Sequence, residues 1–104
     1  MGNWLTAVVL LLAWAGGAAD AQERERLNQR SVAAACAQCH GTDGVPAAGS
    51  SLRALAGMPR EEMATQMKAY KAGTRAGTIM PQLSKGYSDA QIESLANYFA
   101  TAGK

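Results

Sequence analysis

The chain has 104 residues, ten Lys and Arg against eight Asp and Glu for a formal net charge of +2, and only two cysteines and one histidine. Its length bounds it to one small domain, and its near-balanced charge excludes the basic excess that nucleic-acid binding requires. A structural zinc site takes about four Cys or His ligands, more than this chain possesses.

Trp4 to Ala15 is an almost unbroken apolar run, followed by Gly16, Gly17 and then Ala19-Asp20-Ala21, a small-x-small site directly before polar Gln22. That pattern predicts a secretory signal peptide over residues 1–21, cleaved after Ala21. Met1 to Asn3 contains no Lys or Arg, which points to a start codon further upstream. The apolar run is shorter than the roughly 20 residues that cross a bilayer, so no stable membrane span is expected after cleavage. Export would place the mature domain, residues 22–104, in the periplasm. A domain of that size buries a modest fraction of its surface and needs a staple.

Glu23 to Ala37 is rich in Ala, Glu and Arg, with Leu27, Val32 and the alanines Ala33 to Ala35, and contains no Gly or Pro, which predicts a helix. The small alanines would let another helix approach closely. This helix leads into Cys36-Ala37-Gln38-Cys39-His40. Two thiols three residues apart, followed at once by an imidazole, are what covalent haem attachment requires. Each thiol adds across one vinyl group, and the tether brings the next side chain under the iron. A thioredoxin-like redox pair would follow a strand, and none is predicted here. A Cys36–Cys39 disulfide would close too short a loop to stabilise much. The motif therefore predicts one haem c held by Cys36 and Cys39, with His40 as an axial iron ligand. The cofactor would supply apolar core that the chain itself lacks.

Between Gly41 and Gly57 the composition changes to Gly41, Gly44, Pro46, Gly49 and two serines, which is loop chemistry. A ligating imidazole generally donates its second ring N–H to a carbonyl, and the carbonyls around Pro46 or Ala47 are the expected acceptors. Leu52 and Leu55 are expected to fold back onto the haem ring as core residues, and Arg53 and Tyr87 are the places to look for propionate contacts. A helix is predicted from Pro59, which suits a first turn, to Ala72, with Glu61 and Glu62 at its positive end and Gly73 as its stop. Its Met63, Met67 and Tyr70 share a core face.

Gly73 to Tyr87 has no clear period and reads as a loop with Met80 in its middle. Ser88 and Gln91 then form a capping box, and Ile92, Leu95, Ala96 and Phe99 line one face of a last helix that ends at Gly103. Three main helices without strands predict an all-α domain wrapped around one haem.

With a single histidine, the sixth iron position falls to Met, Lys, water or an exogenous ligand. Met63 and Met67 belong to the helix stripe and read as gap-filling core. Met58 lies just before that helix. Met80, in an irregular segment with Pro81 restricting its backbone, is the favoured ligand.

Cys36 through Gly44, Thr78 through Ser88 and Leu95 through Ala100 resemble class I c-type cytochromes. More narrowly, Gln66 through Gly73 and Lys85-Gly86-Tyr87-Ser88 resemble the cytochrome subunit of flavocytochrome c sulfide dehydrogenase. That resemblance implies His40 and Met80 as axial ligands, an N-terminal helix crossing the C-terminal helix near Tyr98 or Phe99, and a periplasmic flavoprotein partner. The expected function is single-electron transfer between redox protein partners, without bond chemistry of its own. The chain would act either as a free shuttle or as the electron-accepting subunit of a sulfide-oxidising flavoprotein. Lys68, Lys71, Arg75 and Lys85 flank the distal segment and would steer acidic docking faces. The alternative is an open-site haem protein, gas-binding or peroxidase-like, with Met80 displaced from the iron.

Overall fold

The structure, a computed structural model, describes the backbone over residues 3–102 and side chains over residues 17–102. Five helices follow one another: α1 (Asn3–Ala33), α2 (Ala37–His40), α3 (Arg60–Ala72), α4 (Met80–Ser84) and α5 (Asp89–Thr101), with 3-10 turns at Ala34–Cys36 and Thr42–Gly44. No strand occurs among the described residues. The all-α expectation holds, with α1, α3 and α5 as the three main helices.

Each main helix has local causes. Glu61 and Glu62 occupy the first turn of α3, where the dipole favours acids. Gly73 closes that helix in the left-handed region (φ 79°, ψ 12°), its N–H reaching the carbonyls of Ala69 and Tyr70. Pro59 stands one position earlier than expected, as the extended N-cap residue rather than inside the first turn. On α5 the capping box is complete: Gln91 N–H donates to Ser88 Oγ at 3.1 Å and Ser88 N–H donates to Gln91 Oε1 at 2.9 Å. The helix ends at Thr101, whose hydroxyl donates to the carbonyls of Asn97 and Tyr98. Gly103, the expected stop, lies outside the described residues.

The core is the seam between α3 and α5. Met63, Ala64 and Met67 meet Ile92, Leu95, Ala96 and Phe99, and Ala33 and Met58 complete the cluster. Ser84 of α4 is fully buried there, and its hydroxyl lies 3.6 Å from Met67 Sδ as a donor. Only the end of α1 packs: Ala18 to Ser31 are exposed apart from half-buried Gln29, and burial begins at Val32 and Ala33. The backbone is helical on both sides of the expected cleavage position, Ala21, while the side chains of the apolar run lie outside the described residues. Among the described residues no helix is long and apolar enough to cross a membrane.

Two expectations are corrected. The helix expected to run unbroken from Glu23 to Ala37 stops at Ala33 and tightens into the 3-10 turn before α2. The segment expected to be a loop from Gly73 to Tyr87 contains α4, because Pro81 occupies the first turn of a helix, where a missing N–H costs nothing.

Candidate haem-binding site

α2 is a single helical turn, which sets Cys36, Cys39 and His40 close along one short piece of backbone. Cys36 is half-buried against the core, Cys39 is exposed, and neither is in a disulfide. Burial pushes the Cys36 thiol above its ordinary range. It is thus a neutral thiol at pH 7 and lacks the thiolate character of a redox-active cysteine.

His40 Nδ1 lies 2.8 Å from the carbonyl oxygen of Arg53. A carbonyl only accepts, so Nδ1 must carry the proton and Nε2 presents the lone pair. The expected acceptor near Pro46 or Ala47 is corrected to Arg53. Gly41, at φ 85°, makes a tight turn after His40, where a Cβ would fall 1.8 Å from the Val45 carbonyl oxygen. The Gly41 and Thr42 carbonyls accept from Gly44 and Val45 N–H within that turn and the Ala47 carbonyl accepts from Ser50 N–H, while the carbonyl that meets His40 comes from further along the loop.

The return path is pinned at two points. Leu55 N–H and Ala56 N–H both donate to the Gly44 carbonyl, at 2.9 and 3.1 Å, and Gly57 N–H donates to the Phe99 carbonyl at 2.8 Å. Gly44 is buried, and a Cβ there would meet Ala56 N, Leu55 Cβ and Phe99 Cδ1 within 3 Å. Asp43, the one described non-glycine residue with positive φ, accepts a 2.6 Å hydrogen bond from the Tyr98 hydroxyl of α5. That bond, with burial second, raises the Tyr98 pKa. Arg30, Ala33, Ala34 and Ala37 face Tyr98 and Phe99 across a half-open cavity of about 170 Å³, so the N-terminal helix meets the C-terminal helix where the resemblance implied.

The methionines separate by burial. Met58, Met63 and Met67 are 7%, 4% and 8% exposed within the core, whereas Met80, first residue of α4, is half-buried at the edge of the same cluster. Cys36 and Tyr87 pack against this cluster beside it. Burial, then the nearby Cys36, raises the Tyr87 pKa.

The residues present fit a haem. Large apolar side chains stand open to solvent next to each ligand candidate: Leu52, 44% exposed, precedes the Arg53 that holds His40, and Ile79 and Leu83, 56% and 47% exposed, flank Met80. A flat apolar group would cover such side chains. Leu52, expected to fold back onto the ring, is left open by the protein itself and available to such a group, while Leu55 packs on the core.

The basic residues are less free than their sequence positions suggested. Lys68 and Arg60 both bind Glu93, at 2.6 and 2.8 Å, Lys71 binds Asp89 at 3.1 Å, and Arg75 lies over the Tyr70 ring, 5.3 Å from its centroid. Arg53, considered for a propionate, is paired with Glu62, and Glu62 also accepts from Gln66 Nε2. Lys85 forms no ion pair among the described residues. Sequence reasoning missed Asp43, Glu62 and Glu93 as partners; none has a local pattern announcing a partner so distant along the chain.

A strand-free fold whose N- and C-terminal helices cross beside a Cys-x-x-Cys-His turn, with a proton-fixed imidazole and an apolar wall, defines a class I c-type cytochrome. The chain belongs to the family described as cytochrome c oxidase, cbb3-type, subunit III, whose model matches residues 19–99. It is 38% identical over 78 residues to cytochrome c-553 of Desulfomicrobium norvegicum, covering 72% of this chain and 95% of that one. It is 36% identical over 69 residues to the cytochrome subunit of sulfide dehydrogenase of Chlorobaculum tepidum, covering 66% of this chain and 61% of that one. A thiosulfate dehydrogenase electron acceptor of Thiomonas intermedia is 34% identical over 68 residues, covering 65% of this chain and 31% of that one. The chain thus spans about three fifths and a third, respectively, of these last two relatives. As a c-type cytochrome it is an electron-transfer protein bearing covalently bound haem c.

Proposed function

We propose that this chain is a periplasmic monohaem cytochrome that carries single electrons, with Cys36 and Cys39 as the haem thioethers and His40 and Met80 as axial ligands. The observation that carries the reading is the His40 Nδ1–H donating to the Arg53 carbonyl, which turns the lone pair of Nε2 toward ligation. Met80 is favoured for the opposite ligand because Met58, Met63 and Met67 are committed to the core. The single Cys-x-x-Cys-His in 104 residues supports one haem.

When bound, the haem iron supplies a one-electron couple, and ligation by His and Met favours electron transfer over substrate binding. The protein's part is mechanical and electrostatic. Arg53 holds the tautomer and orientation of His40, α4 presents Met80, and Leu52, Ile79 and Leu83 exclude water from the apolar wall. Lys85, next to α4 and without an ion pair among the described residues, attracts acidic surfaces of a redox partner, with association rates that fall as salt rises. Two relatives, a cytochrome subunit of sulfide dehydrogenase and a thiosulfate dehydrogenase electron acceptor, support a sulfide or thiosulfate dehydrogenase as donor, and the sequence resemblance implies a flavoprotein in the sulfide case.

The test is the visible spectrum of the haem-loaded protein against Met80→Ala. Wild type should show the weak far-red thioether-to-iron band when oxidised and resist carbon monoxide when reduced. The variant should lose the band and bind the gas. If the two behave alike, Met80 is not the ligand: a band retained in both points to ligation through Met58, and a band absent from both to an open-site haem protein.

A further inference from the structure

The His40 bond ends on a residue that is itself tethered. Arg53 offers its carbonyl to His40, while its guanidinium pairs with the Glu62 carboxylate in the first turn of α3. Glu62 is in turn held by Gln66, one turn further along the same helix, whose Nε2 donates to Glu62 Oε1 at 3.1 Å. Around Arg53 the loop has few other fasteners. Leu52 N–H reaches only the neighbouring Ser50 hydroxyl at 3.2 Å, Ser51 to Ala54 are exposed, and the next backbone anchors are the Leu55 and Ala56 N–H groups on Gly44. The carbonyl that sets the His40 tautomer thus sits on a thinly anchored segment, and the Arg53–Glu62 pair ties that segment to α3, whose Met63, Ala64 and Met67 are buried in the core.

We propose that Glu62 is a positioning residue for His40, acting through Arg53 on the strength of the Nδ1–H···O=C bond; the inference rests on His40 being the iron ligand. An exposed ion pair ordinarily contributes little to global stability, since its Coulomb gain is offset by desolvation and side-chain ordering. Its effect here is local. A well-held carbonyl makes the imidazole a stronger donor to iron, which favours the oxidised state and lowers the reduction potential. Loosening the carbonyl weakens that donation and raises the potential.

Plain electrostatics makes the opposite demand, so the two are separable. Removing the negative charge of Glu62 raises a nearby potential by Coulomb's law, but removing the positive charge of Arg53 lowers it. The tether requires both removals to raise it. The experiment measures the reduction potentials of haem-loaded wild type, Glu62→Gln and Arg53→Met. Alongside runs the 1H–15N signal of the His40 Nδ1 proton in the reduced, diamagnetic state. Glu61→Gln, a neighbouring acid with no ion-pair partner among the described residues, serves as the charge control. Expected are upward shifts in both test variants, corresponding to several-fold changes in the reduction equilibrium. The Nδ1 proton should move upfield in both, as a weakening hydrogen bond requires, and the wild-type difference from Glu62→Gln should narrow as salt screens the pair. Potentials moving in opposite directions, or an Nδ1 signal that stays in place, would overturn the proposal. The far-red thioether band in each sample keeps the two readings apart: its absence in wild type sinks the Met80 assignment and leaves the tether to be judged on the His40 signal and the potentials, whereas its presence with opposite shifts sinks only the tether.

Discussion

Asp43 is the residue at which the loop after His40 is secured. Its backbone sits at φ 54°, ψ 23°, a left-handed conformation that Asp tolerates better than most side chains because its short carboxylate bonds locally or across a gap. Here it crosses a gap, accepting from Tyr98, so the turn following the imidazole is fastened to α5. Tyr98→Phe should lower stability by about 1 kcal/mol, roughly 4–8 °C in the melting temperature of a domain this small. The bond also sets a pH signature. The Tyr98 pKa is raised in the folded state above its ordinary value of 10.0, so its contribution is fully present below pH 10 and lost as pH rises through the folded value. Alkaline melting curves should therefore fall more steeply for wild type than for Tyr98→Phe. Parallel curves would show that the bond does not persist in solution.

At the scale of elements, Glu93 joins the two best-packed helices. It stands on α5 and accepts from Arg60 and Lys68, which lie two turns apart on α3, while Lys71 reaches Asp89 on the same side. The Lys68 bond leads in holding its carboxyl below the ordinary value of 4.5, with the charges of Lys68 and Arg60 behind it. A depressed carboxylate contributes stability above its unfolded pKa and loses it as pH falls through the folded one. Glu93→Gln should consequently flatten the acid limb of the stability curve below about pH 4.5, with little change near neutrality in high salt. Acid melts of the two proteins at low and high salt check this. The pairing also explains why α3 offers a partner fewer free cations than its sequence implies, leaving Lys85 as the charge beside Met80.

At the scale of the whole molecule, packing begins only where α1 reaches Val32 and Ala33. The turns before it, Ala18 to Asn28, are wholly exposed, and Arg30 is the first residue of the helix to face the cavity beside Tyr98 and Phe99. Removing residues 1–21, of which the described side chains at 17–21 are all exposed, should leave the melting temperature of the haem-loaded domain unchanged within about 1 °C. Mass spectrometry of the exported protein should find Gln22 at the amino terminus. A full-length product retained with membranes would instead show that the apolar run serves as an anchor.

What the sequence by itself determined was whatever is decided within a few residues. The Cys36-x-x-Cys39-His40 chemistry, the Ser88–Gln91 cap, the Gly73 stop and the stripe of Ile92, Leu95 and Phe99 each depend on spacing along one turn or one helix face, so they are legible without knowing the fold. α4 escaped notice because one short helical turn, Met80 to Ser84, has too few residues to display a period. Tertiary structure alone decided which carbonyl meets His40, which acid meets Tyr98, which cations Glu93 neutralises, and which methionines are consumed by the core. Those pairings join residues brought together by loop closure and helix packing. That the Arg53 carbonyl rather than one near Pro46 meets His40 leaves no trace in local composition, because the two come together only when the loop folds back on itself.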